Sequence, residues 1–231
     1  MKKIICLLLA ILTTAFFAFV CKNEDEELQK QILAYRENKI KTYQEENAKY
    51  SDYEVDVAFL GDSLTDGYDV NKYYSKYLAS NRGIGGDTTV DLEERIKVSV
   101  YDLKPKVAVM LIGANNMDSM FDNYENLLKG FIVNIPKTKI ILLSLTSMGD
   151  KWGKKNQLAS YNNVKIKLLA EKYNFEFVDL YSPLMNLETG EIYDEYTVDG
   201  GHLTSLGYDV LTSKITPVIE KQLIFWNLEN L

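Results

Sequence analysis

The chain has 231 residues, is 46% hydrophobic, and carries 33 acidic against 26 basic residues, for a formal net charge of -7. This length suits one well-buried domain and is short for two. The acidic balance argues against a nucleic-acid partner, because phosphate binding needs a basic face. Both cysteines, Cys6 and Cys21, lie at the start of the chain, so no disulfide framework is expected in the folded part.

Residues 1–21 have the pattern of a signal peptide or a membrane anchor. Lys2 and Lys3 precede an uncharged apolar run that is just long enough to span a bilayer. Cys21 follows the run, as in the signals of bacterial lipoproteins, which this segment resembles. We expect an extracytoplasmic domain tethered to a membrane by lipidated Cys21 or by an uncleaved anchor, with a secreted form as the third alternative.

Residues 22–53 are rich in Glu, Lys, Gln and Asn, with Leu28, Ile32, Tyr35 and Tyr43 at roughly helical spacing. This predicts a solvated helix that acts as a spacer or packs on the flank of the domain, and a partner-binding helix is the alternative. The catalytic domain is predicted to cover residues 54–225, followed by a C-terminal tail at 226–231.

The domain opens with a nearly continuous apolar run at 55–60, which predicts a buried strand. The run stops at Gly61-Asp62-Ser63-Leu64. In an open α/β sheet the ligand crevice forms at the carboxyl ends of the strands, so Ser63 is a candidate nucleophile. Taken alone, this short pattern is also compatible with an ordinary turn.

Strands and helices alternate along the rest of the domain. Further strands are predicted at 80–84, 107–112, 139–145 and 175–180, and helices at 70–79, 90–101, 123–134, 158–173 and 205–223. Parallel strands need crossover connections, so this pattern predicts a three-layer α/β/α sandwich around a five-stranded parallel sheet. The expected strand order is the flavodoxin-like 2-1-3-4-5, which makes the first three strands neighbours.

Glycines and polar residues follow the second and third predicted strands. Gly83 and Gly85 begin a dinucleotide-like pattern, but position 88 is threonine where the third glycine belongs, so that interpretation fails. The glycines, Gly86 among them, are instead expected to form a turn, to contribute to an oxyanion hole, or both. Asn115 ends the third strand, and the predicted order allows Ser63, Gly86 and Asn115 to converge.

The chemistry of these residue types points to acyl transfer. Serine is a poor nucleophile, so a neutral imidazole must take its proton, and His202 is the single histidine of the chain. Asp199 precedes it by three residues, which brings a carboxylate within reach of the imidazole. Separately, each residue has an ordinary structural explanation, as a surface histidine, a turn cap or a solvated loop acid.

Together, four blocks resemble the GDSL-type lipases and esterases of the SGNH hydrolase superfamily over residues 54–225. They are Gly61-Asp62-Ser63-Leu64, Gly86, Gly113-Ala114-Asn115 and Asp199-Gly200-Gly201-His202. The resemblance implies Ser63 as nucleophile, His202 as base, Asp199 as its orienter, and an oxyanion hole made of the Ser63 and Gly86 N–H groups and the Asn115 side chain. Asn116 departs from the acidic residue of many relatives, which puts loop support or substrate preference in question.

The resemblance implies hydrolysis of acyl, often acetyl, esters of small molecules, carbohydrates or lipids, without a metal or organic cofactor. Asp62, Trp152 and Tyr68 are candidate substrate contacts, although the aromatic rings suit the rim of the core equally well. Lys151, Lys154 and Lys155 suit a phosphate head group or a polyanionic glycan, or they are simply solvated. The alternatives are an O-acyltransferase acting on a surface glycan and a non-catalytic surface-binding lipoprotein. The sequence makes no prediction of oligomeric state.

Overall fold

The computed structural model describes residues 26–230. The chain divides into two units between Thr42 and Tyr43, and a single helix, α1, covers residues 26–47 across that division. Its residues before the division are mostly exposed, Leu28, Ile32 and Tyr35 among them. The predictions for residues 1–21, including lipidation of Cys21, lie outside the described residues. Between residues 26 and 230, none of the helices has the length and apolar composition that a bilayer span requires.

Five parallel strands form one sheet, as predicted. The strands are β1 (Val57–Gly61), β2 (Ala79–Gly83), β3 (Val107–Leu111), β4 (Lys139–Leu143) and β5 (Glu176–Val178), and their order is β2-β1-β3-β4-β5. Every residue of β1 and β3 is buried, which explains why these strands are continuous apolar runs rather than alternating ones. The predicted α/β fold and strand order are confirmed.

Helices cover both faces of the sheet. They are α2 (Ser63–Asp66), α3 (Val70–Tyr73), α4 (Thr89–Ile96), α5 (Phe121–Asn134), α6 (Asn156–Tyr173), α7 (Tyr181–Leu184) and α8 (Ser205–Glu229). A π-helical turn, Lys97–Tyr101, continues α4, and 3-10 turns cover Asp150–Lys155 and Asp194–Tyr196. One apolar core contains residues of α4, α5 and α6, and a second contains residues of α2, α3 and α8.

The predicted helix at 70–79 is only one turn long. Tyr74 leaves helical geometry with φ -120° and ψ 36°, and its side chain is 1% exposed. Its ring packs against Phe59 of β1 at a centroid distance of 4.9 Å. Burial of a large ring against the sheet outweighs the helical tendency of this segment.

The last helix continues beyond the predicted end at 223 and takes in most of the predicted tail at 226–231. Trp226 packs against Tyr53 with a centroid distance of 5.6 Å. The Glu229 carboxylate lies 2.5 Å from the Lys139 ammonium at the start of β4. These contacts with the domain extend α8 to Glu229.

The second unit begins before the predicted domain boundary at 54, because the end of α1 packs on edge strand β2. Tyr43 is 2% exposed, and its hydroxyl donates to the Gly83 carbonyl at 2.7 Å. The fully buried guanidinium of Arg82 donates to the Tyr43 carbonyl and lies 3.1 Å from the Glu46 carboxylate. The last turns of α1 therefore supply partners to a buried charge of the sheet.

Candidate active site

The candidate nucleophile lies on the sharp turn between β1 and α2. A Cβ at Gly61 would lie 2.2 Å from the Leu111 carbonyl oxygen and 2.2 Å from Thr65 Oγ1, so only glycine permits this close approach. Asp62 caps α2 by accepting from the Leu64 N–H at 3.1 Å. Ser63, the first residue of the helix, is partly exposed, so its hydroxyl is presented at the carboxyl edge of the sheet.

His202 and Asp199 complete a hydrogen-bonded series with Ser63. Asp199 Oδ1 accepts from the N–H groups of Gly201 at 3.0 Å and His202 at 2.8 Å, and Oδ2 lies 2.9 Å from His202 Nδ1. These bonds hold the pKa of Asp199 well below its usual value, those to His202 foremost. The ionised carboxylate can only accept, so His202 Nδ1 carries the proton and Nε2, 3.0 Å from Ser63 Oγ, accepts from the hydroxyl.

The loop that carries His202 is fixed by its backbone. The His202 carbonyl accepts from the Val198 N–H at 3.0 Å and from Thr197 Oγ1 at 2.8 Å. Gly200 has φ +80°, and a Cβ there would lie 2.3 Å from the Gly149 carbonyl oxygen. A glycine is required here, and the close approach joins the His202 loop to the loop that follows β4.

Three candidate oxyanion donors lie beside Ser63. Gly86 has φ +84° in a turn closed by the Asp87 N–H and the Ile84 carbonyl, and a Cβ at the adjacent Gly85 would lie 3.9 Å from Ser63 Cβ. In the part of the chain that the structure describes, the N–H groups of Ser63 and Gly86 donate no hydrogen bond. Both are therefore available to a negatively charged oxygen.

The Asn115 amide is fixed against the same turn. Its Nδ2 donates to the Asp87 carbonyl at 2.9 Å, and the second hydrogen of the amide is left for another acceptor. Asn116 is bonded to the start of α4, donating to Thr89 Oγ1 at 2.8 Å and accepting from the Thr89 N–H at 3.3 Å. Asn116 thus provides neutral support for this loop.

A buried ion pair that was not predicted from the sequence supports the Gly86 turn on its buried side. Arg95 Nε lies 2.5 Å from Asp87 Oδ2, with both side chains 2% exposed. The guanidinium also donates to the Arg82 carbonyl at 2.9 Å and to the Gly61 carbonyl at 3.0 Å. One cation thus joins the ends of β1 and β2 to the turn. The sequence contained a signal for this ion pair. Arg95 shares the buried face of α4 with Leu92 and Ile96, and a charge on a buried face needs a partner.

A cleft of about 70 Å³ opens beside these groups. The predicted residues Asp62, Ser63, Asn115, Trp152 and His202 line it. Lys155, one of the three lysines considered for an anionic substrate, also lines it, and residues that were not predicted as site residues complete it: Leu64, Ala114, Thr146, Met148 and Gly201. Thr146 and Met148 follow β4 at the same edge of the sheet as Ser63, which was the signal available for them. Within residues 26–230, no three His, Cys, Asp or Glu side chains are grouped as metal ligands.

Tyr68 is not brought to the cleft. It is 4% exposed, and its hydroxyl lies 2.6 Å from Thr212 Oγ1 and 3.2 Å from the Tyr74 hydroxyl. Its ring stacks on Tyr208 at 5.2 Å. The prediction of a substrate contact at Tyr68 is therefore corrected: the ring fills the core between β1 and α8, since its hydroxyl finds partners there.

Asp62 provides a pH-dependent test of the site. Its carboxyl is 1% exposed, and Oδ2 has no hydrogen-bond partner. Burial raises the pKa of Asp62 from 3.8 to about 7, with a smaller increase from Asp87, whereas the Leu64 N–H and His202 oppose it. Between these two values the folded chain keeps a proton that the unfolded chain releases, so burial of Asp62 lowers stability progressively as pH rises through this window.

We expect Asp62→Asn to be close to neutral near pH ~4 and to raise the free energy of unfolding increasingly toward pH ~8, by about 1.4 kcal/mol for each unit of the shift. Urea unfolding at the two pH values measures this. Asp69→Asn is the matched control, because Asp69 also caps a helix, α3, but is exposed. An equal stability change for Asp62→Asn at both pH values would contradict the prediction.

The sequence of this chain matches a known protein family, and its fold matches those of solved structures. The model of the family described as "GDSL-like Lipase/Acylhydrolase family" matches residues 59–210. A GDSL-like lipase from Bacteroides thetaiotaomicron is 28% identical, with a TM-score of 0.70 over 79% of this chain and 97% of that chain. No curated protein matches the sequence.

Two further solved structures share the fold. A protein from Streptococcus pneumoniae is 24% identical, with a TM-score of 0.75 over 84% of this chain and 97% of that chain. An acetyl xylan esterase from Geobacillus stearothermophilus is 21% identical, with a TM-score of 0.58 over 73% of this chain and 95% of that chain. These two comparisons concern the fold alone.

Proposed function

The chain belongs to the GDSL-like lipase/acylhydrolase family and is a carboxylic ester hydrolase, and from this premise we propose that it removes short acyl groups, acetyl foremost, from carbohydrate or lipid esters through a serine-bound acyl intermediate. The observation that carries the proposal is the series Asp199–His202–Ser63, with contacts of 2.9 Å and 3.0 Å. It lies next to N–H groups that have no partner within the described residues.

In the first half of the proposed reaction, Ser63 Oγ attacks the acyl carbon while its proton passes to His202 Nε2. The imidazolium that forms is stabilised by the Asp199 carboxylate, which keeps its charge. The carbonyl oxygen becomes negative and accepts hydrogen bonds from Ser63 N–H, Gly86 N–H and the second hydrogen of Asn115 Nδ2. Collapse of this intermediate breaks the ester bond, and the alcohol leaves with the proton from His202.

In the second half, water replaces the alcohol. His202 takes a proton from the water, which attacks the acyl group on Ser63, and then returns a proton to Ser63 Oγ as the carboxylic acid departs. The His202 side chain is 50% exposed, which supports access of water to the imidazole. In the alternative acyl transfer, a glycan hydroxyl would take the place of water at the same intermediate.

The size of the cleft supports a short acyl group. A cavity needs about 10 to 15 Å³ of volume to hold one water-sized group. The cleft of about 70 Å³ therefore holds roughly five to seven groups of that size. Acetyl and butyryl groups fit within this space, whereas an octanoyl chain would extend beyond it. Met148, 5% exposed, is part of the wall that sets the limit.

We expect the full-length protein to hydrolyse p-nitrophenyl acetate and butyrate with kcat/KM at least about tenfold above octanoate, because a cleft of this size contacts the whole of a short acyl chain and only part of a long one. Met148→Ala should move the preference toward longer chains, since it removes part of that wall. Initial rates at 400 nm across the ester series measure both. A folded protein that hydrolyses all three esters equally would contradict the proposed acyl size, and no hydrolysis at all would contradict an active esterase.

The proposed cellular location rests on the sequence of residues 1–21. We propose that the hydrolase faces the extracytoplasmic side of a membrane, held there by an N-terminal anchor or by lipidated Cys21. An outward-facing enzyme meets surface glycans and lipids, which are the substrate classes proposed above.

A further inference from the structure

The rim of the cleft carries a lysine. The 3-10 turn Asp150–Lys155 follows β4 and contains three lysines, of which Lys155 lines the cleft together with Ser63 and His202. Within the described residues, the Lys155 ammonium forms no ion pair. Lys154, its neighbour, is exposed and does not line the cleft.

Trp152 fixes the position of the Lys155 ammonium. The Nζ atoms of Lys155 and Lys151 lie 5.0 Å and 4.8 Å from the centroid of the Trp152 ring, within the range of cation–π attraction. The indole packs in turn on Gly201, where a Cβ would lie 3.2 Å from the ring. Because Gly201 directly precedes His202, the ring holds the ammonium on the His202 side of the cleft rather than on the side of the oxyanion donors.

Within the described residues, none of the neighbouring carboxylates forms an ion pair with Lys155. Both oxygens of Asp199 accept hydrogen bonds from the His202 loop, and Asp62 is only 1% exposed where it lines the cleft. Glu191 packs against Gly153, where a Cβ would lie 2.3 Å from its Oε1. Among the described residues that line the cleft, Lys155 is the one with a permanent positive charge.

In the proposed reaction His202 protonates the departing alcohol, so the alcohol part of the ester lies on the His202 side. We propose, on the basis of the proposed function, that the substrate is an ester whose alcohol part carries a carboxylate or phosphate group, and that Lys155 binds this group. The chain as a whole is acidic, so a local ammonium is needed to attract an anionic substrate to this cleft.

The test compares two phenyl acetates of the same shape, anionic 4-acetoxybenzoate and its neutral methyl ester. The readout is the ratio of their kcat/KM values, which cancels general damage to the active site. In Lys155→Gln the ratio of anionic to neutral ester should fall about fivefold through KM, as expected for the loss of one partly screened charge contact. Lys154→Gln is the matched control and should keep the ratio of the unaltered protein.

The salt dependence of the rates and a second anionic substrate test the role of the Lys155 charge further. The preference of the unaltered protein for the anionic ester should weaken between about 50 mM and about 500 mM NaCl, because salt screens a partly exposed charge pair. With 4-acetoxyphenyl phosphate as a third substrate, the larger loss in Lys155→Gln identifies phosphate or carboxylate as the preferred group. An unchanged ratio in Lys155→Gln, with the neutral ester still hydrolysed, overturns the role of Lys155 alone. No hydrolysis of any of these esters overturns the proposed function as well.

Discussion

Ser63→Ala is expected to lower kcat for p-nitrophenyl acetate by about 10⁴-fold to 10⁶-fold, since the variant has no oxygen to form the acyl intermediate. His202→Ala should cost a similar factor, because the Ser63 hydroxyl then has no acceptor for its proton. The losses should not add in the double variant, because residues that act in one step fail together. The activity that remains in the double variant measures the contribution of the oxyanion donors and of substrate binding alone.

Stability and labelling separate chemistry from misfolding in these variants. Ser63 is partly exposed and His202 exposed, so both alanine variants should keep the free energy of unfolding of the parent to within about 0.5 kcal/mol. A fluorophosphonate should label the parent on Ser63, detected by mass spectrometry of the peptide, and leave Ser63→Ala unlabelled. Ser213→Ala is the matched control, because Ser213 is an exposed serine of α8. Activity within tenfold of the parent in a folded Ser63→Ala would exclude the serine mechanism.

Arg95→Met is expected to lower the free energy of unfolding by about 3 to 5 kcal/mol, because it removes the guanidinium that compensates the buried charge of the Asp87 carboxylate. The variant also removes the guanidinium hydrogen bonds to the carbonyls of Gly61 and Arg82. Chemical unfolding measures the loss. Asp87→Asn together with Arg95→Met should recover part of it, because the buried charge is then removed.

The catalytic consequence of Arg95→Met is distinct from its effect on stability. The Asp87 carbonyl anchors the Asn115 amide at 2.9 Å, so a loosened turn should reduce kcat by about 100-fold with KM little changed, as for loss of an oxyanion donor. Arg82→Met is the matched control: Arg82 is equally buried but bonds to α1, and its loss should reduce stability without this change in kcat. Equal kcat for folded Arg95→Met and the parent would contradict the positioning role.

The fold was predictable because its signals are local. Runs buried on both faces, such as β1 and β3, read as continuous apolar segments. The alternation with helices indicated a doubly wound parallel sheet, for which 2-1-3-4-5 is a common strand order. The lengths of α3 and α8 were not predictable, because they depend on distant contacts. Tyr74 ends α3 by packing on Phe59, and Trp226 extends α8 by packing on Tyr53.

The site residues, like the elements of the fold, were predictable where the signal is local and not where it depends on distant contacts. Ser63, Asn115 and His202 lie at strand ends or in a motif with short spacing, and the structure brings them to one cleft. Tyr68 was assigned by its position near Ser63 alone, and sequence distance does not tell which face of the turn a ring occupies. Arg95 was missed because its partners, Asp87 and two carbonyls, lie on other elements, and only its place on the buried face of α4 marked it.

The contact between α1 and Arg82 defines where this domain can be cut. A protease that removed the chain as far as residue 53 would take away the Glu46 carboxylate and the Tyr43 carbonyl that the buried guanidinium uses. Of the acceptors that the described residues offer to this cation, Ser80 would then remain. Cleavage before Tyr43 keeps the partners of Arg82 with the hydrolase, so the end of α1 belongs to the stable enzyme.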